Sequence, residues 1–246
     1  MKLTQIQEDL IFGTMLGDGN FQKGKSKDKN KPATWRYRAI HADYHYPYLI
    51  HKYEILKEFC DSGPNTCTYH DERTNKIYRR SYFNTLQTPI FRYYATKFYT
   101  LQNDSWVKGV PNDIGKFLTP RALAYWYMDD GALKWVNKSN AVRLCTDSFK
   151  KHEVELLGEA LRKNFGFRVS FQKNKEILRI SISESSYPLL RDCILEYLLP
   201  CMYYKFPDGN KGVFGVGDIS NDIVNTFSAR KSMDFNSIID EQEKKM

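Results

Sequence analysis

Two aspartates, Asp18 and Asp130, stand in matching surroundings. Each follows an apolar stretch and precedes a glycine, in Ile11-Phe12-Gly13-Thr14-Met15-Leu16-Gly17-Asp18-Gly19 and in Leu123-Ala124-Tyr125-Trp126-Tyr127-Met128-Asp129-Asp130-Gly131. A helix ending on a carboxylate carries negative charge where its macrodipole is already negative, at a cost of about 0.3–1 kcal/mol unless a cation sits there. A single Gly-Asp-Gly or Asp-Asp-Gly is a common turn sequence, but two of them, one in each half of a repeating chain, need a shared explanation. If the two helices pack about a pseudo-two-fold axis, Asp18 and Asp130 meet, and such a pair is tolerable only with a cation or a proton between the carboxylates. With no Cys or His adjacent in either stretch, the donors are hard oxygens. These suit a divalent ion, Mg²⁺ first, with Mn²⁺ as its substitute.

The elements that must position these acids recur along the 246 residues. Thr4 and Gln7 fit a capping box before the first stretch, and Thr119 and Pro120 fit an N-cap and first helical residue before the second. Gly19 and Gly131 read as the stops. A lysine-rich segment, 21–32, follows Gly19. A strand over 35–41 then puts Arg36 and Arg38 on one face and Trp35, Tyr37 and Ala39 on the other. Next come a helix over 46–59 with Leu49, Tyr53, Leu56 and Phe59 inward, strands at 66–69 and 77–84, and a helix opened by Pro89 to about residue 99.

The second half runs likewise. It has a strand plus a basic turn over 134–140, a strand at 141–146, a helix capped by Ser148 and stopped by Gly166, a hairpin of 168–172 with 177–183, and a helix over 187–199. Matching points lie 112, 104, 99 and 97 residues apart, a steady drift expected of two diverged copies. The fold class is therefore α+β, with two pseudo-symmetric αββαββα units at 1–116 and 117–207. Residues 208–246 fall outside the repeat as an extension of unassigned role.

Composition narrows the partners. Lysine and arginine exceed aspartate and glutamate by eight, and because 207–246 is net acidic the excess belongs to the body of the chain, which points to a polyanion. An aromatic content of 15% excludes a disordered chain. No signal-like n-region and h-region opens the sequence, and no apolar run approaches the roughly 18 residues of a membrane span. The five cysteines form no C-x-x-C pair, and a zinc site from Cys60, Cys67 and nearby histidines is poorly spaced. The expectation is a soluble, intracellular protein with reduced, mostly core thiols and no membrane contact. Abundant Lys, Asn, Ile and Tyr fit an A/T-rich genome such as that of a mitochondrion or chloroplast.

Both Asp-Gly stretches resemble the LAGLIDADG motif of homing endonucleases, and they are spaced as in its single-chain, two-motif type, that of the yeast mitochondrial ω-intron endonuclease. Leu123, Ala124, Asp130 and Gly131 match in one, and Gly13, Asp18 and Gly19 in the other; the likeness spans about residues 4–207. It implies two antiparallel sheets forming a DNA-binding saddle, and catalytic ions bound by Asp18 and Asp130 with the carbonyls of Gly17 and Asp129. It also implies active-site lysines at Lys108 and Lys205. The implied activity is hydrolysis of one phosphodiester per strand at a long, specific double-stranded target, by a monomer, in intron homing. The alternative on the same fold is a maturase that binds intron RNA. Groove-facing candidates by alternation are Arg36, Arg38, Arg143, Arg179 and Ser181; candidates for phosphate or base-edge contacts are Lys23, Lys25, Arg79, Arg80, Lys134, Lys138, Lys173 and Lys175. Tyr125 stands where the motif has glycine, and Phe12 where it has alanine, so the helix interface is expected to be looser or asymmetric. No Gln or Arg aligns with the family's water-relay positions.

Overall fold

The computed structural model describes residues 2–24, 33–174 and 177–210. Lys25, Lys175 and nearly all of the extension lie outside them. In chain order the first repeat comprises α1 (Gln5–Met15), β1 (Asn20–Lys23), β2 (Trp35–Ala42), α2 (Tyr46–Leu56), β3 (Asn65–Asp71), β4 (Lys76–Asn84) and α3 (Ile90–Phe98). A hairpin of β5 (Tyr99–Gln102) and β6 (Ser105–Lys108) follows. The second repeat comprises α4 (Pro120–Asp130), β7 (Gly131–Leu133), β8 (Val142–Leu144), α5 (Lys151–Phe165), β9 (Val169–Asn174), β10 (Ile177–Ile182) and α6 (Tyr187–Ile194), and a last turn forms α7 (Pro207–Asn210). The two four-stranded antiparallel sheets have the same order, β1-β2-β4-β3 and β7-β8-β10-β9.

The capping box forms as the sequence indicates: Thr4 accepts from the Gln7 backbone and Gln7 from that of Thr4. Thr119 likewise accepts from the Ala122 N–H. Strand β2 alternates buried and half-buried along its whole length, with Trp35, Tyr37 and Ala39 inward. Gly166 stops α5 in the left-handed conformation, φ 70°.

Several boundaries differ from the sequence reading, each for a local reason. Helix α1 stops at Met15, and the amides of Leu16, Gly17 and Gly19 turn back onto the Gly13 and Thr14 carbonyls, so Asp18 sits in a turn and not on a last helical residue. Gly131 is extended (φ −71°, ψ 145°) and opens β7, so it is no left-handed stop; glycine is needed there because a Cβ would lie 2.3 Å from the Tyr127 carbonyl oxygen. The N-cap of α5 is Lys150, not Ser148, because the Glu153 carboxylate accepts from the Lys150 N–H at 2.7 Å. Residues 134–140 lie in the loop between β7 and β8, so the basic turn forms there without the strand expected before it. The β5–β6 hairpin went unseen because its turn uses Asn103 and Asp104 at φ 46° and 60°, without glycine. The five cysteines are free, but only Cys201 is buried.

Helices α1 and α4 form the central contact of the molecule. Residues 122–129 of α4 are buried without a break, as expected of a helix covered on every side. Gly13 receives the partner helix: a Cβ on it would meet the Ala122 oxygen at 2.2 Å and the Tyr125 Cβ at 2.7 Å. Tyr125, displaced from the axis, shares a hydrogen bond with His51 at 2.8 Å. Phe12 stacks on Phe117, with centroids 4.1 Å apart. The interface is asymmetric, and it is tight, not loose.

Candidate active site

Both aspartates reach one cleft where α1 and α4 end. The Asp18 N–H donates to Asp129 Oδ2 at 3.1 Å, and the Asp130 carbonyl accepts from the Cys145 N–H at 3.0 Å. Asp18 leaves half its side chain exposed, yet the cleft raises its carboxyl to about 6, through lost solvation first and the Asp129 charge second, against the opposing pull of Lys52, Lys205 and Lys108. Asp130 is pushed to about 7 by lost solvation and by Asp18 and Asp129. Three lysines therefore do not neutralise this cleft, which favours additional positive charge.

Lys108 and Lys205 occupy matching places. Lys108 Nζ donates to the Gly17 and Gly19 carbonyls at 3.0 and 2.9 Å, and Lys205 Nζ to the Met128 and Asp129 carbonyls at 2.6 Å each. An ammonium thus rests on each carbonyl that the resemblance assigns to a metal ion. Two different elements deliver these lysines. Lys108 ends β6, whose hairpin is clamped by Trp35 against Trp106 at 5.1 Å and against Tyr99 at 5.7 Å. Lys205 ends a 3₁₀ turn at 200–205, where its own carbonyl accepts from Tyr127 Oη at 2.8 Å and the next residue, Phe206, is fully buried. Burial lowers both ammoniums, Lys108 to about 8.

A second charged cluster was missed by sequence reasoning. Lys52 is completely buried and bonds Asp129 Oδ1 at 2.7 Å and His41 Nε2 at 2.9 Å, with the Tyr48 ring 4.1 Å from its ammonium. Asp129 has no exposed side-chain surface, and Lys52 fixes its carboxylate. Burial first, then Lys52, His45 and Lys205, hold His41 well below its ordinary range and so neutral. Asp18, His41 and Asp129 each offer an atom within 4.8 Å of the others. The one signal in the sequence is position: Lys52 lies three residues after Leu49 on the inward face of α2, while Tyr53, expected inward, is only half-buried.

The open faces of the two sheets carry arginines in register. Arg38 pairs across the ladders with Asn20 and Asn84, Arg80 with Ala42 and Cys67, and Arg143 with Ala132 and Ser181. Arg36 and Arg179 share these faces, Arg36 held by Gln22 and Arg179 by Asp147. Arg38 lies over the Tyr82 ring and Arg80 over Tyr69, at 5.0 and 4.5 Å. The Nε atoms of Arg38, Arg80 and Arg143 are buried donors without a partner among the described residues, and water or a ligand can supply the acceptors. Ser181 shares the face of Arg143 and Arg179 but is covered, 1% exposed, with its hydroxyl on the Val142 carbonyl. Lys23 and Lys173 alternate to the opposite face, opposite Trp35 and Leu178, and Arg79 does the same and meets Asp43. Lys134 and Lys138 occupy the β7–β8 loop, Lys134 over the exposed Trp135 ring at 4.4 Å.

The chain is similar to known proteins over most of its length. The model of the LAGLIDADG DNA endonuclease family matches residues 9–190. DNA endonuclease I-ChuI of Chlamydomonas applanata is 46% identical over 221 residues, 86% of this chain and 99% of that protein. Cytochrome b mRNA maturase bI2 of Saccharomyces cerevisiae is 26% identical over 80% of this chain and 46% of its own length. The structure of the homing endonuclease I-WcaI bound to its DNA recognition sequence superimposes with a TM-score of 0.72 at 27% identity, covering 83% of this chain and 87% of that one.

Proposed function

The chain belongs to the LAGLIDADG DNA endonuclease family, and from that premise we propose that it is a site-specific intron-homing endonuclease that cuts both strands of a long duplex target as a monomer, one centre per repeat. The two repeats, 1–116 and 117–207, each supply one half of the DNA surface and one catalytic aspartate. The observation that carries this reading is the meeting of Asp18 and Asp130 in a cleft that leaves both carboxyls short of positive charge.

The residues fit a hard divalent ion: carboxylates and main-chain carbonyls are the donors, and the carbonyls already attract ammoniums. Mg²⁺, with Mn²⁺ as substitute, would be held by Asp18 and Asp130 with the carbonyls of Gly17 and Asp129. When bound, such an ion acidifies a water and neutralises charge at the phosphate. Lys108 and Lys205 stabilise the charge that develops on the phosphoryl oxygens. Arg36, Arg38, Arg80, Arg143 and Arg179 read the major groove from the saddle, and Lys134 and Lys138 hold phosphates at its outer end. The abundance of Lys, Asn, Ile and Tyr, as an A/T-rich genome would encode, supports a mitochondrial or chloroplast setting. No helix among the described residues is long and apolar enough to cross a membrane.

Selection of cleaved duplexes from a randomised library in Mg²⁺ tests the assignment. A single long target, cut by the wild type and left whole by the Asp130→Asn protein, is expected; sequence-indifferent cutting would refute it. The relationship to a maturase favours one second reading, intron RNA binding on the same surface, which predicts that Asp130→Asn still promotes splicing.

The raised carboxyls set the pH dependence. Folded values of about 6 and 7 exceed the ordinary aspartate value near 3.9. The stability these groups contribute is therefore fully present below pH ~4 and is lost as pH rises through 6 and 7. Ion binding needs both groups deprotonated, so it must release protons below pH 7. Melting curves with and without Mg²⁺ should nearly coincide at pH 5.5 and separate progressively toward pH 8. Proton release in calorimetry, compared between two buffers, should fall over the same interval.

A further inference from the structure

The two halves of the cleft are not equivalent, and the inequality lies behind the aspartates. Asn20, two residues after Asp18, pairs with Arg38, and Ala132, two residues after Asp130, pairs with Arg143. Three residues further along, this register sets His41 against Thr146, and eleven beyond those it sets Lys52 against Leu157. Lys52 and Leu157 are both wholly buried. The residue before each aspartate differs as well, Gly17 in one motif and Asp129 in the other, and they are complementary: a Cβ on Gly17 would lie 2.4 Å from that of Asp129. Behind Asp18 there is thus a buried triad, His41 and Lys52 from repeat one and Asp129 from repeat two, whose counterparts behind Asp130 are Thr146 and Leu157 from repeat two and Gly17 from repeat one, none of which can ionise.

The hydrogen bonds of the triad fix a proton. An ammonium can only donate, so His41 Nε2, 2.9 Å from Lys52 Nζ, must accept. A neutral imidazole then carries its proton on Nδ1, the atom facing Asp18 Oδ2 at 3.7 Å. The same ammonium holds Asp129 at 2.7 Å, whose other oxygen accepts the Asp18 N–H at 3.1 Å. Lys52 therefore reaches Asp18 by two routes, through the ring to its side chain and through a carboxylate to its backbone. With Nε2 and Asp129 both engaged by Lys52, the triad is a support for the Asp18 site and not a metal site of its own.

We propose that Lys52 is a positioning residue for the Asp18 half alone, acting through His41 and Asp129, so that its removal slows the cutting of one DNA strand and leaves the other near its original rate. This rests on the endonuclease reading, while the tautomer it requires can be seen in the protein without DNA or metal. Groups that orient a metal-site ligand from behind are typically worth about 10- to 100-fold. In Lys52→Met, His41 Nε2 loses its donor and the ring is free to take the Nε2–H form that imidazoles favour in water.

The experiment has two arms. In metal-free protein, long-range ¹H–¹⁵N spectra, with the His41 signals assigned by their loss in His41→Ala, should show the Nδ1–H tautomer in the wild type and a shift toward Nε2–H in Lys52→Met. On the library-selected duplex labelled on each strand in turn, Lys52→Met and His41→Ala should slow the same strand about 10- to 100-fold, so that nicked product accumulates. Lys52→Met leaves Asp129 buried without its cation and can destabilise the fold. Lys52→Met/Asp129→Leu removes both charges and should keep the same strand bias with a near-normal unfolding midpoint. An Nε2–H tautomer in the wild type, or equal slowing of both strands by the single and the double variant, would overturn the proposal. A wild type that cuts no selected duplex would instead overturn the endonuclease reading and leave the tautomer arm standing on its own.

Discussion

Replacing Asp18 or Asp130 by asparagine is expected to lower double-strand cleavage by about 10³-fold or more while target binding persists and the metal-free protein becomes harder to unfold. The loss follows from removing a charged donor for an ion whose contribution to the transition state is several kcal/mol, each ~1.4 kcal/mol being tenfold in rate. Binding is expected to persist because the proposed contacts are arginines spread across two sheets, held by groups other than the altered carboxylates: Arg36 by Gln22, Arg179 by Asp147, Arg38 and Arg80 by tyrosine rings. The gain in stability follows from the raised carboxyls: above pH 7 both are charged, and each is opposed by lost solvation and by its acidic neighbours. A neutral amide removes that penalty, whereas an ordinary surface aspartate would give no change. Gel-shift titration in Ca²⁺, cleavage in Mg²⁺ and thermal unfolding in chelator at pH 8 measure the three quantities. Loss of cleavage together with a lower unfolding midpoint would mean that the aspartates hold the fold and not the chemistry.

What the sequence disclosed was governed by range. The capping box of Thr4 and Gln7, the alternation of β2 and the Gly166 stop are decided by residues within a few positions of one another, and each stands as read. The repeat was legible because the same local signals occur twice in one order. Features decided across the chain were not. Nothing next to Lys52 in the chain announces its charge partner, Asp129, which lies 77 residues away on the other repeat. The β5–β6 hairpin delivers Lys108, yet its turn lacks the glycine that would announce it, because Asn103 and Asp104 tolerate the left-handed region. The helix-end rule holds for one acid and not the other: α4 ends on Asp130, whereas Asp18 is presented by a turn three residues past the end of α1.

Gly13→Ala should destabilise the protein by about 2 kcal/mol and reduce cleavage about 10²-fold, against the direction that helix propensity alone suggests. In an isolated helix this substitution is favourable by about 1 kcal/mol. Here the new methyl would stand 2.2 Å from the Ala122 carbonyl oxygen and 2.7 Å from the Tyr125 Cβ. The first obstacle is backbone, so no rotamer change relieves it and α4 must move. Overpacking of this kind costs about 1–3 kcal/mol or more, which outweighs the propensity gain. The displaced helix is the one that ends on Asp129 and Asp130, so the shift reaches the cleft directly, and about 1 Å of misplacement is worth roughly 10² in rate. Gly115→Ala is the matched control, since its Cβ would find only the Ala160 Cβ at 3.7 Å, an ordinary contact. Urea midpoints and cleavage rates for the pair separate the terms. A Gly13→Ala protein as stable as Gly115→Ala would show that α1 and α4 are not in the close contact that brings the two aspartates together.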